Sequence, residues 1–141
     1  MRQAQRPKSP LFLMEVILVI LFFAIASVVC VQLFVQAYLL STESSDLTAA
    51  VREARNTAEI FKAVGGSTTE TALLLDAVPP GPQDQTMILY YDRDWNRVKE
   101  DGWYRLELAT EPEAAGVAAG RVEVSGPEGE IFSLTVKKYT G

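Results

Sequence analysis

The sequence lacks histidine altogether and has a single cysteine, Cys30. Without histidine, the chain cannot form a Cys–His nucleophile or a Ser–His–Asp triad, and it lacks the histidine ligands that zinc sites commonly use. A lone cysteine forms no intrachain disulfide, so the folded core alone must stabilise the protein. No other catalytic arrangement stands out among the residues, and we therefore expect that the protein is not an enzyme and binds no cofactor.

Charge is almost missing from one part of the chain and is mostly negative in another. Residues 1–10 hold three basic side chains and no acid, and residues 11–40 hold a single charge, Glu15. Residues 41–141 hold 10 basic and 17 acidic side chains. An acidic domain repels phosphate, which argues against direct binding of nucleic acid. The uneven distribution also argues against a simple soluble globule.

The long uncharged stretch predicts a transmembrane helix over residues 11–35. At about 1.5 Å per residue, its 25 residues cross a hydrocarbon layer of roughly 30 Å. No small-x-small cleavage site follows it, so we expect the helix to be retained. The basic residues of the leader, residues 1–10, predict a cytoplasmic N-terminus and an extracytoplasmic C-terminal region; they are Arg2, Arg6 and Lys8.

A helical pattern continues through residues 36–64, where apolar side chains recur every three or four positions. This spacing predicts an apolar stripe on one helix face, made of Leu47, Val51, Ala54, Ala58, Phe61 and Gly65. The stripe is rich in alanine and lacks the alternating Leu and Ile of a two-stranded coiled coil. We therefore expect it to pack on the protein's own C-terminal sheet.

Residues 65–141 read as an extracytoplasmic α+β domain. Ser67 begins a capping pattern before a short helix over 71–78, which Pro79-Pro80-Gly81-Pro82 ends. Alternating apolar residues between closely spaced turns predict an antiparallel meander, with strands at 87–91, 103–109, 117–125 and 130–139 and a short one starting at Val98. The fold class is α+β, a long N-terminal helix packed on a small antiparallel sheet.

One stretch of the domain has the opening of a calcium-binding loop, Asp92-x-Asp94-x-Asn96. The rest of the loop pattern is missing, because Arg97 stands where the turn glycine belongs and Trp103 stands where the bidentate glutamate belongs. We therefore interpret the stretch as a hydrogen-bonded turn between strands, with no metal.

Glu15 is the unusual residue of the transmembrane segment. A carboxylate at membrane depth is costly and marks a candidate functional residue. Glu15 lies only about one helical turn inside the apolar run, so an alternative is that its side chain extends to the cytoplasmic surface. Ser9-Pro10 has a plain structural interpretation, since serine caps helices and proline is favoured in the first turn.

Residues 9–20, SPLFLMEVILVI, resemble the N-terminus of type IV pilin-like proteins, the family of pilins and of the pseudopilins of type II secretion and competence systems. In that family a basic leader ends in glycine, and the mature chain starts at Phe, Leu or Met with glutamate at its fifth position. Leu11 and Glu15 match those positions. The resemblance is specific over residues 8–35, architectural over 36–64 and weak over 65–141.

The resemblance implies a structural subunit of a pilus, secretion or DNA-uptake machine, assembled by lateral packing of N-terminal helices in the bilayer. It implies that Leu11 is the residue that a prepilin peptidase exposes and methylates, and that Glu15 pairs with the amine of a neighbouring subunit. Pro10 stands in place of the family's glycine, and proline has a fixed φ and no N–H. We therefore expect inefficient processing. The alternative function is a single-pass membrane protein whose outer domain binds a partner or senses a signal, outside any filament.

Overall fold

The computed structural model describes residues 9–111 and 115–140. The basic leader residues Arg2, Arg6 and Lys8 lie outside the described residues. The chain divides into two compact units, Met1–Glu43 and Ser44–Gly141. Two helices and five strands follow one another: α1 Ser9–Ala63, α2 Thr68–Leu75, β1 Thr86–Tyr91, β2 Arg97–Val98, β3 Tyr104–Glu111, β4 Val117–Gly126 and β5 Gly129–Tyr139. The predicted α+β class, with a long apolar helix and an antiparallel sheet, is confirmed.

The strands form one antiparallel sheet in the order β2-β1-β3-β4-β5. The predicted meander is correct for the pairs β1–β2, β3–β4 and β4–β5, but it is wrong at β3, which pairs with β1 and not with β2. The chain turns back after β1 to form the two-residue β2, and β3 then pairs along the opposite edge of β1. Sequence alternation marks strands but does not say on which edge the next strand pairs, which explains the difference.

Helix α2 begins three residues earlier than predicted and ends three residues earlier. Ser67 is its N-cap, and the Ser67 hydroxyl accepts a hydrogen bond from the N–H of Glu70 at 3.3 Å. Asp76 then adopts a left-handed conformation with φ of 49°, and the N–H of Ala77 bonds back to the carbonyl of Ala72 at 2.9 Å. This C-terminal cap closes the helix before the prolines are reached.

The core of the unit Ser44–Gly141 lies between one face of the sheet and the last part of α1. Ala50, Ala54 and Phe61 are fully buried, and they pack with inward residues of every long strand, including Leu106 and Val122. This confirms that the amphipathic part of α1 packs on the protein's own sheet. Small alanine side chains thus make up much of the buried face of the helix.

The helix face that packs on the sheet differs from the predicted stripe. Leu47 is 44% exposed, and Val51 is only half-buried. Their places on the buried face are taken by the half-buried Asp46 and the fully buried Ala50. Thr57 is also buried, because its hydroxyl donates to the carbonyl of Glu53 at 2.9 Å. Polar residues that find partners therefore shift the face by about one residue, which the apolar pattern alone does not reveal.

Phe61 packs on the sheet near the C-terminal end of α1. Gly120 on β4 lies directly beneath the phenyl ring, and a Cβ at position 120 would stand 3.0 Å from two ring atoms. The glycine thus makes room for the largest side chain of the helix face. Gly65 and Gly66, both with positive φ, then reverse the chain after α1.

Candidate functional site

The candidate site is the apolar part of α1, taken here as residues 11–40. Every residue from Leu11 to Leu40 is exposed, although nearly all of them are apolar. Such a surface is not stable in water, since each large apolar side chain that leaves water gains roughly 1.5–3 kcal/mol. Within the described residues, α1 is the one helix that is long and apolar enough to cross a membrane. The described part of the chain therefore has one candidate membrane-spanning segment, near the N-terminus.

Two hydroxyl side chains, one inside this segment and one just beyond it, bond within the helix itself. The Ser27 hydroxyl donates to the carbonyl of Phe23 at 2.9 Å, one turn earlier in the same helix. The Thr42 hydroxyl donates to the carbonyl of Tyr38 at 3.1 Å just beyond it. Bonds of this kind satisfy a hydroxyl without water, as lipid requires. Tyr38 itself is exposed.

Pro10, Leu11 and Glu15 all lie at the beginning of α1. Ser9 and Pro10 are the first two described helical residues, where a missing N–H removes no helical hydrogen bond. Leu11 is 77% exposed, and Glu15 is also exposed. Residues four apart share a helix face, so Leu11 and Glu15 lie one turn apart on the same side. Among the residues that the structure describes, Glu15 has neither a hydrogen bond nor an ion pair.

The Asp92 loop is closed by its own hydrogen bonds. Asp92 Oδ1 accepts from the N–H groups of Asp94 and Asn96, both at 2.9 Å, and Oδ2 accepts from the Asn96 amide at 3.2 Å. These bonds, the backbone bond from Asn96 foremost, hold the pKa of Asp92 below its usual range. The interpretation as a hydrogen-bonded turn is confirmed. In the described ranges, no group of three or more acidic or cysteine side chains could hold a metal ion.

Two acids of α1 make contacts that the sequence analysis missed. The indole N–H of Trp95 donates to Asp46 at 3.2 Å, and the phenol of Tyr91 donates to Glu53 at 3.1 Å. The Trp95 ring also stacks on Tyr104, with ring centroids 4.1 Å apart. Asp46 and Glu53 are seven residues apart, hence on one face, which was the available signal. Their aromatic partners are 38 and 49 residues away in sequence, and nothing local indicates them.

Burial raises the pKa of both tyrosines in this cluster. Tyr91 is almost fully buried, and the nearby Glu53 carboxylate disfavours a second negative charge, so the Tyr91 phenol stays protonated far above its ordinary pKa. Burial, followed by the Asp46 carboxylate, raises the pKa of Tyr104 to about 12. Both phenols are therefore hydrogen-bond donors at neutral pH. The cluster holds α1 on the sheet and shows no chemistry of its own.

An open groove runs beside the end of α2, lined in part by Asp76, Val78, Ile88, Lys99 and Glu100. The Arg97 guanidinium in this groove donates to the carbonyl of Leu75 at 2.7 Å, which ties β2 to the end of α2. The groove thus has mixed charge, and its arginine is used structurally.

No family model, no curated protein and no solved structure matches the chain.

Proposed function

We propose that the protein is a membrane-anchored, pilin-like structural component, a minor pilin or pseudopilin of a type IV pilus, type II secretion or DNA-uptake machine. Its apolar α1 segment packs beside those of other pilin-like subunits in the bilayer, and its sheet domain lies on the extracytoplasmic side. The observation that carries this proposal is the exposed apolar surface of residues 11–40, interrupted by one carboxylate at Glu15.

Glu15 gives the proposal its mechanism. An isolated carboxylate in lipid is costly, whereas a carboxylate paired with an amine is far less so. A neighbouring subunit that brings a free N-terminal amine to Glu15 therefore fixes the stagger between two helices. A simple membrane anchor has no need of a charge at this position, and this distinguishes assembly from mere attachment.

Substitution of Glu15 by valine tests this role. Tagged full-length chain is extracted from its native membranes in mild detergent, and the pilin-like subunits that co-purify are quantified. We expect the Glu15→Val variant to stay in the membrane fraction. The amount of co-purifying subunits should fall about tenfold, since polar contacts in lipid contribute about 1–2 kcal/mol. Glu43→Val, at an exposed acid of the same helix beyond the apolar segment, is the matched control. Equal recovery with both variants would contradict the proposal.

Processing of the leader is the second part of the proposal. Because Pro10 replaces the glycine of the family pattern, we propose that the chain keeps residues 1–10 and joins an assembly as an unprocessed subunit. Intact-mass analysis of the membrane-extracted protein should then give the full-length mass. A mass that lacks residues 1–10 and carries one added methyl group would overturn this part and leave the pilin-like assembly in place.

Pro10 also favours the second candidate function, a single-pass membrane protein whose outer domain binds a partner without any filament. In that case no new amine forms at Leu11, and Glu15 has no neighbouring amine to meet. The co-purification experiment distinguishes the two functions, because a protein that is only a membrane anchor co-purifies with no pilin-like subunits even when Glu15 is intact.

A further inference from the structure

The two edges of the sheet are built differently. On the β2 side, the edge strand has only two residues, and Val78 pairs with Ile88 of β1 through backbone bonds of 3.1 and 3.5 Å. On the other side lies β5, Gly129–Tyr139, with 11 residues. Within the described ranges, no strand pairs beyond β5. One edge is therefore short and covered, and the other is long and open.

The register identifies which backbone groups of β5 point outward. The Thr140 N–H donates to the carbonyl of Gly116 at 2.8 Å, and the β4–β5 register continues unbroken from Val117↔Tyr139 to Val124↔Phe132. Hydrogen-bonded pairs alternate along antiparallel strands. Even-numbered residues of this stretch therefore bond to β4, and the N–H and C=O groups of Ser133, Thr135 and Tyr139 face away from the sheet.

Several features that protect natural edge strands are missing from the middle of β5. Such strands usually carry lysine, proline, inward-pointing charges or a central bulge, and the lysines of β5 lie only near its end. Residues 129–139 contain no proline, and the one register shift lies next to the β4–β5 turn, at Val124/Ser125. The side chains that face the core from the middle of β5 are all apolar, namely Phe132, Leu134 and Val136. The middle of β5 is thus a regular edge strand with which another strand can pair, and this pairing would extend the sheet.

We propose that the open edge of β5 pairs with the β5 edge of a second copy of this chain, antiparallel and about a two-fold axis. The strand is charge-polarised, with Glu128 and Glu130 near its start and Lys138 near its end. Antiparallel pairing sets the acidic end of one strand beside the basic end of the other, whereas parallel pairing sets like charges together. The same patch then serves both copies. This inference concerns the sheet domain and goes beyond the proposed function of α1.

A proline at position 135 tests the edge without breaking the fold. The Thr135 N–H faces outward, so Thr135→Pro removes a donor that β4 does not use, and edge strands tolerate such a proline. The full-length chain is purified in detergent, and its mass is measured by light scattering over a concentration series. We expect wild type and Thr135→Ala to dimerise alike and Thr135→Pro to weaken dimerisation at least about tenfold, as the loss of central pairing implies. Circular dichroism confirms that each variant is folded.

Cross-linking tests the geometry. Single cysteines are placed at Thr135, Arg121 or Tyr139 in a Cys30→Ala chain and treated with a short bifunctional thiol reagent. All three side chains are exposed, and Arg121 is the β4 residue directly opposite Thr135. We place the two-fold axis at the middle of β5, near residue 134, where Glu130 of one copy lies opposite Lys138 of the other. With strands roughly 4.8 Å apart and about 3.3 Å per residue, the two copies of position 135 then lie within about 8 Å of each other, and the two copies of position 121 lie at least about 14 Å apart. We expect a covalent dimer for Thr135→Cys and little for the other two variants.

The outcomes separate the possible occupants of the edge. Cross-linking at Tyr139 as strong as at Thr135 would indicate parallel pairing, and equal yields at Arg121 and Thr135 would indicate random collision; either result overturns the proposal. So does a dimer that survives Thr135→Pro. A dimer lost with Thr135→Pro but kept with Glu15→Val supports the β5 interface independently of helix packing by α1, so the two proposals fail separately.

Discussion

At the scale of single residues, two acids of α1 and their aromatic partners in the sheet domain add polar contacts to the alanine-rich face of the helix. Glu53 and Asp46 lie where a longer apolar stripe was expected, and each is held by an aromatic donor from the sheet domain. A side-chain hydrogen bond to a partly buried carboxylate stabilises the fold only while the donor is present. The cluster therefore makes the packing of α1 specific as well as favourable.

Removal of the Tyr91 hydroxyl should destabilise the sheet domain. Tyr91→Phe keeps the ring in the core but removes the hydrogen bond to Glu53 Oε2, while the Nε–H of Arg52 still donates to Oε1, and we expect a cost of about 1–2 kcal/mol. We expect a lower midpoint of thermal unfolding, followed by circular dichroism in detergent. Tyr90→Phe is the matched control, because Tyr90 is its neighbour on the strand and its hydroxyl makes no hydrogen bond in the described structure. If both variants melt together, the Tyr91–Glu53 bond contributes nothing.

Alkaline pH should also destabilise the domain. The folded pKa values of Tyr91 and Tyr104 lie above the ordinary value of 10.0, so an unfolded chain releases these two protons at lower pH than the folded one. Their contribution is complete below about pH 10 and is lost as the pH rises toward the folded pKa values. Thermal midpoints measured from pH 8 to 11 should fall above about pH 10. Tyr104→Phe should flatten this fall, whereas Tyr139→Phe, at an exposed tyrosine, should leave it unchanged.

At this scale, only contacts between residues close together in the chain could be predicted from the sequence. The Asp92 turn follows from residues within four positions of one another, and the Ser67 cap follows from the residue type and the helix start. The contacts of Asp46 and Glu53 join segments far apart in the chain. An isolated acid on a helix looks solvated until the fold brings an aromatic donor to it.

At the scale of elements, strand periodicity was the most informative signal. The four longer strands begin and end within two residues of the predicted bounds, since each has alternating apolar residues between turn residues. Their order around β1 was not predictable, because alternation marks a strand but does not say on which edge of β1 the next strand pairs. The buried face of α1 was displaced for a related reason, as the sheet decides which residues face it.

Close packing of α1 on the sheet gives a prediction at this scale. Ala54 is fully buried, and a larger side chain there must push the helix away from the sheet. Ala54→Leu should lower the free energy of unfolding by about 1–3 kcal/mol, as overpacked cores usually do. Asn56→Leu, at an exposed position of the same helix, adds similar bulk where there is room and is the control. Urea unfolding measures the free energy of unfolding of both variants. Equal values would mean that α1 does not pack tightly on the sheet at Ala54.

At the scale of the whole molecule, composition separates two environments. The unit Met1–Glu43 presents apolar side chains outward, and the unit Ser44–Gly141 buries its apolar side chains in a core of its own. The charge count alone predicted this division, because charge is nearly absent from residues 11–40. The side of the membrane on which the sheet domain lies remains a prediction from the basic leader.

Topology mapping tests that prediction. A cysteine introduced at the exposed Glu128 in the β4–β5 turn, in a Cys30→Ala chain, should react with a membrane-impermeant maleimide in right-side-out membrane vesicles. A cysteine at Gln3 in the leader should react only after the vesicles are permeabilised. The reverse pattern would place the sheet domain in the cytoplasm and would contradict both proposed functions.

The position of Trp95 has an optical consequence. The chain has two tryptophans; Trp95 is stacked on Tyr104 and bonded to Asp46, and Trp103 is 44% exposed with Arg93 over its ring. In a Trp103→Phe chain, the fluorescence emission of Trp95 would report the environment beside Asp46 alone. The protein thus carries a built-in, label-free probe at the place where α1 first meets the sheet, readable in detergent or in lipid.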